Sequence, residues 1–125
     1  MAYEIVRATK DDRSFIEITA LDKVAWRDAG GNYRHDEDHS DGEHAWRLWT
    51  EHAVVFNALL TEGDDQNPAG TLIGTVLSFP CLPTEPNQVV TLYCLHKVMV
   101  DSAYRGHGLG AALMEACLVE TDRCV

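Results

Sequence analysis

The chain has 125 residues, 46% of them hydrophobic, enough for one domain with a real apolar core. Twenty acidic against ten basic residues give a formal net charge of −10, which argues against a nucleic-acid partner and favours a cationic small molecule or basic peptide. No apolar run reaches the roughly 18 residues of a membrane span and no signal-peptide pattern opens the chain, so a cytoplasmic protein without membrane contact is expected.

Residues 3 to 8 read as a strand. Thr9 and Asp12 then make a helix N-terminus ahead of Phe15, Ile18, Leu21, Val24 and Ala25, an apolar stripe at helical spacing. Asp28 to Asp38 reads as loop. Ser40 and Glu43 have capping-box spacing and introduce a short helix through Trp46, Leu48 and Trp49, whose tryptophans suit packing better than a ligand box. The run from His35 to His44 mixes imidazoles with carboxylates. Metal binding is conceivable from such a tract, but solvated loops commonly carry one, and no metal is expected.

Ala53 to Leu60 and Thr71 to Phe79 are extended runs joined by a turn-rich hairpin loop. Pro80, Pro83 and Pro86 end the second run, and Val89 to Val100 makes a third long strand. Leu109, Ala112, Leu113, Ala116 and Cys117 recur at i, i+3, i+4, i+7 and i+8, one apolar face of a helix. The expected order is β-α-α-β-β-β-α in a single unit without internal repeats. Cys81, Cys94, Cys117 and Cys124 show neither a Cys-x-x-Cys pair nor zinc spacing, and read as reduced and mostly buried.

The most informative segment is Arg105-Gly106-His107-Gly108-Leu109-Gly110, between the β-branched run ending at Val100 and the last helix. A glycine-dense turn that opens a helix leaves several N–H groups unpaired and aimed at one point, with the positive end of the helix dipole behind them. Glycine permits positive φ and lets an anion approach the main chain without meeting a Cβ, and Arg105 adds a permanent forked cation. The same residues also suit an ordinary strand-to-helix turn with Arg105 as a surface ion-pair partner. A plain nucleotide-binding domain fits poorly, because this turn follows a late strand and not the first βα unit.

With its flanks, the segment resembles the GCN5-related N-acetyltransferases (GNAT family). Their signature Arg/Gln-x-x-Gly-x-Gly/Ala is matched by Arg105, Gly108 and Gly110, with the strand Leu95 to Val100 upstream and the helix from Leu109 to Met114 downstream. The opening Tyr3 to Thr9, with Asp12 and Phe15-Ile16, looks like the family's first strand and helix. The resemblance implies an α/β (α+β) fold with a mixed, mainly antiparallel sheet flanked by helices, spanning residues 1–125 as one domain. It also implies that the family's fifth strand, and a fourth helix with an acidic tyrosine, would follow Val125; the expectation is an incomplete domain lacking the C-terminal half of the fold.

The same resemblance implies acetyl-CoA as co-substrate. Its pyrophosphate would lie on the N–H groups of Gly106, His107, Gly108, Leu109, Gly110 and Ala111 beside Arg105, and its pantetheine arm along Val98, Met99 and Val100. The N–H groups of Val98 and Val100, at a common strand edge, are candidates for oxyanion stabilisation. An amine of pKa near 10 is only about 0.1% neutral at pH 7, so a base is useful. Several relatives carry a glutamate where this chain has Cys94. Arylalkylamine acetyltransferases carry two histidines on that strand, and His96 keeps one of the pair. His96 is therefore the candidate base, although a half-buried strand histidine with a satisfied ring would look alike. Strict alternation would put His96 on one face with Cys94, Val98 and Val100.

Asp36, Glu37 and Asp38 offer an acidic rim for an amine acceptor, or simply solvated surface. Tyr33 and Tyr104 have no position that marks them as the acid. The expected function is transfer of an acetyl group to a primary amine of a small molecule or peptide, by direct attack in a ternary complex. The alternative is a catalytically impaired CoA-binding or structural remnant. An unneighboured edge on the strand ending at Val100 leads to the expectation of a homodimer.

Overall fold

The computed structural model describes residues 1–8, 14–28, 53–81 and 92–124. They form strand β1 (Tyr3–Arg7), helix α1 (Ser14–Asp28), strands β2 (Val54–Leu60), β3 (Leu72–Pro80) and β4 (Tyr93–Val100), a 3-10 turn (Ser102–Tyr104) and helix α2 (Leu109–Cys124). The expected helix start at Thr9 and Asp12, the loop to Asp38, the helix around Trp46 to Trp49, the run from His35 to His44 and the prolines Pro83 and Pro86 lie outside the described residues.

The four strands form one sheet in the order β1-β2-β3-β4, every neighbouring pair antiparallel. The helices cover opposite faces. On one face Ile18 and Leu21 of α1 pack with Val55, Leu77 and Met99; on the other Leu109, Leu113 and Cys117 of α2 pack with Val54, Ala58, Ile73 and Val76. The sheet is therefore buried from both sides, which is why β2 and β3 carry nearly continuous apolar runs instead of a polar alternation.

The helical spacing in α2 is as read from the sequence, with Leu109, Leu113, Cys117 and Thr121 buried four residues apart. Part of the α1 stripe is not: Val24, one turn beyond Leu21, is exposed. The cysteines also differ from expectation. Only Cys117 is buried, whereas Cys94 and Cys124 are exposed and Cys81 is half-buried. Pro80 ends β3 as its last residue, opposite Tyr93. The next amide, of Cys81, donates to the Leu92 carbonyl at 2.9 Å, so the N–H that Pro80 lacks would have faced away from β4, past the end of β2.

Two register shifts shape the sheet. Ile73 is the extra residue of β3 opposite β2, and His96 is the extra residue of β4 opposite β3, because Leu95 pairs with Ser78 and Lys97 already pairs with Leu77. The second shift corrects the expectation of strict alternation. Cys94 shares the α1 face with Lys97 and Met99, while Tyr93, Leu95, Val98 and Val100 share the α2 face. Gly74 lets α2 sit close to the sheet, for a Cβ there would lie 3.1 Å from Leu113 Cδ1 and 3.2 Å from the Met99 carbonyl oxygen.

Candidate active site

At the end of β4 the chain must leave the sheet and start a helix within eight residues. The Asp101 carboxylate caps the 3-10 turn by accepting from the Ala103 amide at 2.9 Å, and the Asp101 carbonyl accepts from the Tyr104 amide at 2.9 Å. Gly106 and Gly108 then adopt φ of +84° and +78°, left-handed conformations that a residue with a Cβ adopts only under strain. Among the described residues no atom would obstruct a Cβ at Gly106, Gly108 or Gly110 within 4 Å, so none of them fills the space above the turn. The first helical hydrogen bond runs from the Ala112 amide to the Gly108 carbonyl at 3.0 Å, which leaves the amides of Leu109, Gly110 and Ala111 without a helical acceptor.

The edge of β4 adjoins this turn. The Asp101 amide donates to the Ile73 carbonyl at 2.9 Å, which sets the phase of the ladder: Met99 and Asp101 turn their N–H groups toward β3, and Val98 and Val100 turn theirs to the opposite edge. Among the described residues that edge has no neighbouring strand. Arg105, exposed at the turn, directs its Nε to the Val100 carbonyl at 3.3 Å. Of the residues singled out from sequence, Val98, Val100, Arg105, Gly106, His107, Gly108, Leu109, Gly110 and Ala111 thus converge on one end of β4 and α2. Met99 lies behind them, its side chain buried in the core under α1. His96 stands at the bulge of β4; its side chain lies outside the described set. Asp36, Glu37, Asp38 and Tyr33 lie outside it as well.

Sequence reasoning missed the brace beneath the turn. Tyr104 is buried and donates its hydroxyl to Asp64 Oδ2 at 2.7 Å, while the Asn67 side-chain amide donates to the same hydroxyl at 2.9 Å. Asp64 Oδ1 in turn accepts the backbone amides of Gln66 and Asn67, both at 2.8 Å. The Tyr104 hydroxyl, then the Asn67 and Gln66 amides, hold the Asp64 carboxyl below its usual pKa. Tyr104 is consequently committed to bracing the β2–β3 hairpin loop. The only sequence signal was the spacing of Asp64 and Asn67, which suits a self-bonded turn but says nothing about a partner forty residues on.

A second tie was equally silent. Lys97 Nζ contacts both carboxylate oxygens of Asp22 at 2.9 Å and fixes β4 against α1. Among the described residues no cluster of three or more potential ligands stands ready for a metal ion, and no described helix is long and apolar enough to cross a membrane.

Comparison with known proteins agrees with this geometry. Ribosomal-protein-alanine N-acetyltransferase from Brucella melitensis biovar Abortus 2308 superposes with a TM-score of 0.68 at 19% identity, covering 99% of this chain and 74% of its own. The aminoglycoside acetyltransferase meta-AAC0020 from an uncultured soil metagenomic sample, solved with sisomicin, gives 0.68 at 21% identity over 98% of this chain and 72% of its own. The NatC complex bound to Gag peptide and CoA gives 0.68 at 18% identity, over 98% of this chain and 69% of the other. At these identities the likeness is one of fold. No curated protein sequence matches the chain. The sequence pattern of the Acetyltransferase (GNAT) family does match, over residues 16–123, and the chain belongs to that family.

Proposed function

We propose that this chain is an acetyl-CoA-dependent N-acetyltransferase that acts on a primary amine of a small molecule or peptide. One observation carries the reading: a helix start whose Leu109, Gly110 and Ala111 amides have no helical acceptor, with no described atom above the glycines, meets a strand edge carrying the outward N–H groups of Val98 and Val100. The first group of donors suits a pyrophosphate and the second an extended amide-bearing arm, which CoA carries joined to one another. Membership of the family supports the same assignment.

Gly106, His107, Gly108, Leu109, Gly110 and Ala111 would hold the pyrophosphate beside Arg105, and Val98, Met99 and Val100 the arm. A neutral amine attacks the thioester carbonyl, the C–S bond breaks and the thiolate leaves. Donors at the β4 edge stabilise negative charge on the carbonyl oxygen as it develops. His96, at the bulge, is the base we assign to the amine proton, imidazole being the side chain whose unperturbed pKa, near 6.5, suits work at neutral pH. The relatives solved with sisomicin and with a peptide are consistent with amine acceptors of both kinds.

Residues 1–125 are read as one catalytic domain. It acts in the cytoplasm, in keeping with four unbridged cysteines, and copies whose β4 edge carries no CoA self-associate through that edge and the exposed Met114, Leu118 and Val119 of α2.

The test is acetyl-CoA-dependent thiol release across a panel of amines, beside calorimetric titration with CoA. Turnover with at least one amine is expected. Binding without turnover on any amine would move the chain to the non-catalytic reading, and absence of both would remove the proposal. With an active amine in hand, His96→Ala is expected to lower the rate more at pH 6.5 than at pH 9.5, where more of the amine is already neutral; a constant ratio of rates would take the base role from His96.

A further inference from the structure

The sulfur atoms of Cys81 and Cys94 lie 2.9 Å apart, with Cys94 exposed and Cys81 half-buried. The sheet holds them there. Cys94 pairs with Phe79, and the Cys81 amide, two residues further along β3, donates to the Leu92 carbonyl at 2.9 Å, so both side chains leave the α1 face of the same two-stranded ladder. The other two cysteines belong to α2 on the opposite face, Cys117 in its core and Cys124 beside Tyr93.

We propose that Cys81 and Cys94 are a redox-active dithiol that a peroxide converts to an intramolecular disulfide. A disulfide needs its sulfurs at about 2.05 Å, so closure asks for a movement of under roughly one ångström from the reduced geometry. Contact with Cys94 pushes the pKa of the Cys81 thiol up, and Cys94 is the more open sulfur, so Cys94 reacts first. The Cys94 thiolate attacks one peroxide oxygen, an S–O bond forms, the O–O bond breaks and hydroxide leaves. The Cys81 sulfur, losing its proton, then attacks the Cys94 sulfenic sulfur; the S–S bond forms, the S–O bond breaks and water leaves. Two thiols lose two electrons and two protons in all, and one peroxide is reduced to two waters. The bridge fixes the β3–β4 register immediately before the bulge at His96. This site goes beyond acetyl transfer and does not depend on it.

The experiment exposes the full chain to one equivalent of hydrogen peroxide, alkylates the remaining thiols in denaturant and maps the peptides. The expected result is a fall from four free thiols to two in a monomeric product, with Cys81 joined to Cys94 and both recovered by a thiol reductant. Cys81→Ser should stop at a sulfenic acid on Cys94, trapped by dimedone, and Cys94→Ser should keep its three thiols at the same dose. Four thiols remaining in the parent would overturn the proposal. So would a bridge to Cys117 or Cys124, or a product joined only between chains.

Discussion

Two glycine-bearing turns of this molecule make opposite use of their polar groups. The hairpin loop between β2 and β3 closes on itself: the Asp64 amide donates to the Asn67 carbonyl, the Gly70 amide to the Leu60 carbonyl, and Thr71 returns to the Pro68 carbonyl through both its amide and its hydroxyl. The turn between β4 and α2 satisfies its first half in the same way, through Asp101, and then leaves its donors open from Leu109 to Ala111. Both contain left-handed glycines, Gly70 at +87° and Gly106 and Gly108 at +84° and +78°. Glycine content does not separate a structural turn from a binding turn. What separates them is whether the amides that the glycines expose already have acceptors.

The sharpest way to break this contrast is to place the same strain in both turns. The Cβ of a valine at Gly108 or at Gly70 meets no described neighbour within 4 Å, but the residue must adopt a left-handed φ, at a cost of about 1–3 kcal/mol in stability. For Gly108→Val we expect CoA affinity to fall about a hundredfold or more, since losing charge-assisted hydrogen bonds adds to the strain. For Gly70→Val we expect similar destabilisation with CoA affinity unchanged. Calorimetric titration of both folded variants decides it, and equal losses of affinity would dissolve the distinction.

The hairpin loop should instead reveal itself through pH. The Asp64 carboxyl sits below its ordinary pKa, held there first by the Tyr104 hydroxyl and then by the Asn67 and Gln66 amides. A depressed folded value means that this stabilisation is present above the unfolded value of about 4 and is lost as pH falls through the folded one. Tyr104 closes the window at the other end. The Asn67 amide pulls its pKa down, but the Asp64 acceptor, burial and the charges of Asp64 and Asp101 together raise it. Its contribution is therefore present below about pH 10 and lost as pH rises through the raised value. Urea midpoints measured across pH should drop at both ends in the parent, and Tyr104→Phe should lower the plateau between them while affecting CoA binding far less than Gly108→Val does.

The smallest effect is expected at Gly110, which has an ordinary helical conformation and open space above it. Ala there should raise stability by about 0.5–1 kcal/mol while weakening CoA several-fold, because its methyl would stand where an anion approaches the helix start. Paired thermal melts and titrations measure the two effects. A gain in stability with no loss of affinity would mean that the ligand keeps away from Gly110.

Much of this was legible in the sequence. Alternation and continuous apolar runs marked β2 and β3 to within a residue or two, the i, i+4 recurrence from Leu109 to Cys117 marked α2, and the glycine spacing marked the turn. The bulge at His96 was not legible. An extra residue in one strand is defined only by what its partner pairs with, and the sequence of β4 alone reads as unbroken alternation. Cys94 consequently falls on the face opposite to Val98, and its meeting with Cys81 became visible only with the register. Asp64 and Tyr104, or Asp22 and Lys97, likewise carry no mark of one another, because each pair is joined by the packing of elements far apart in the chain.

The strand order carries a kinetic consequence. In a meander β2, β3 and β4 pair with sequence neighbours, and α2 follows β4 directly. Strand β1 reaches β2 only after a closure of some fifty residues, which is entropically the dearer step. The turn and the open strand edge therefore belong to the part of the chain with the shorter closures. The N-terminal strand and helix are tied to it by long-range contacts, Arg7 to Glu120, 113 residues away in sequence, and Asp22 to Lys97, 75 away.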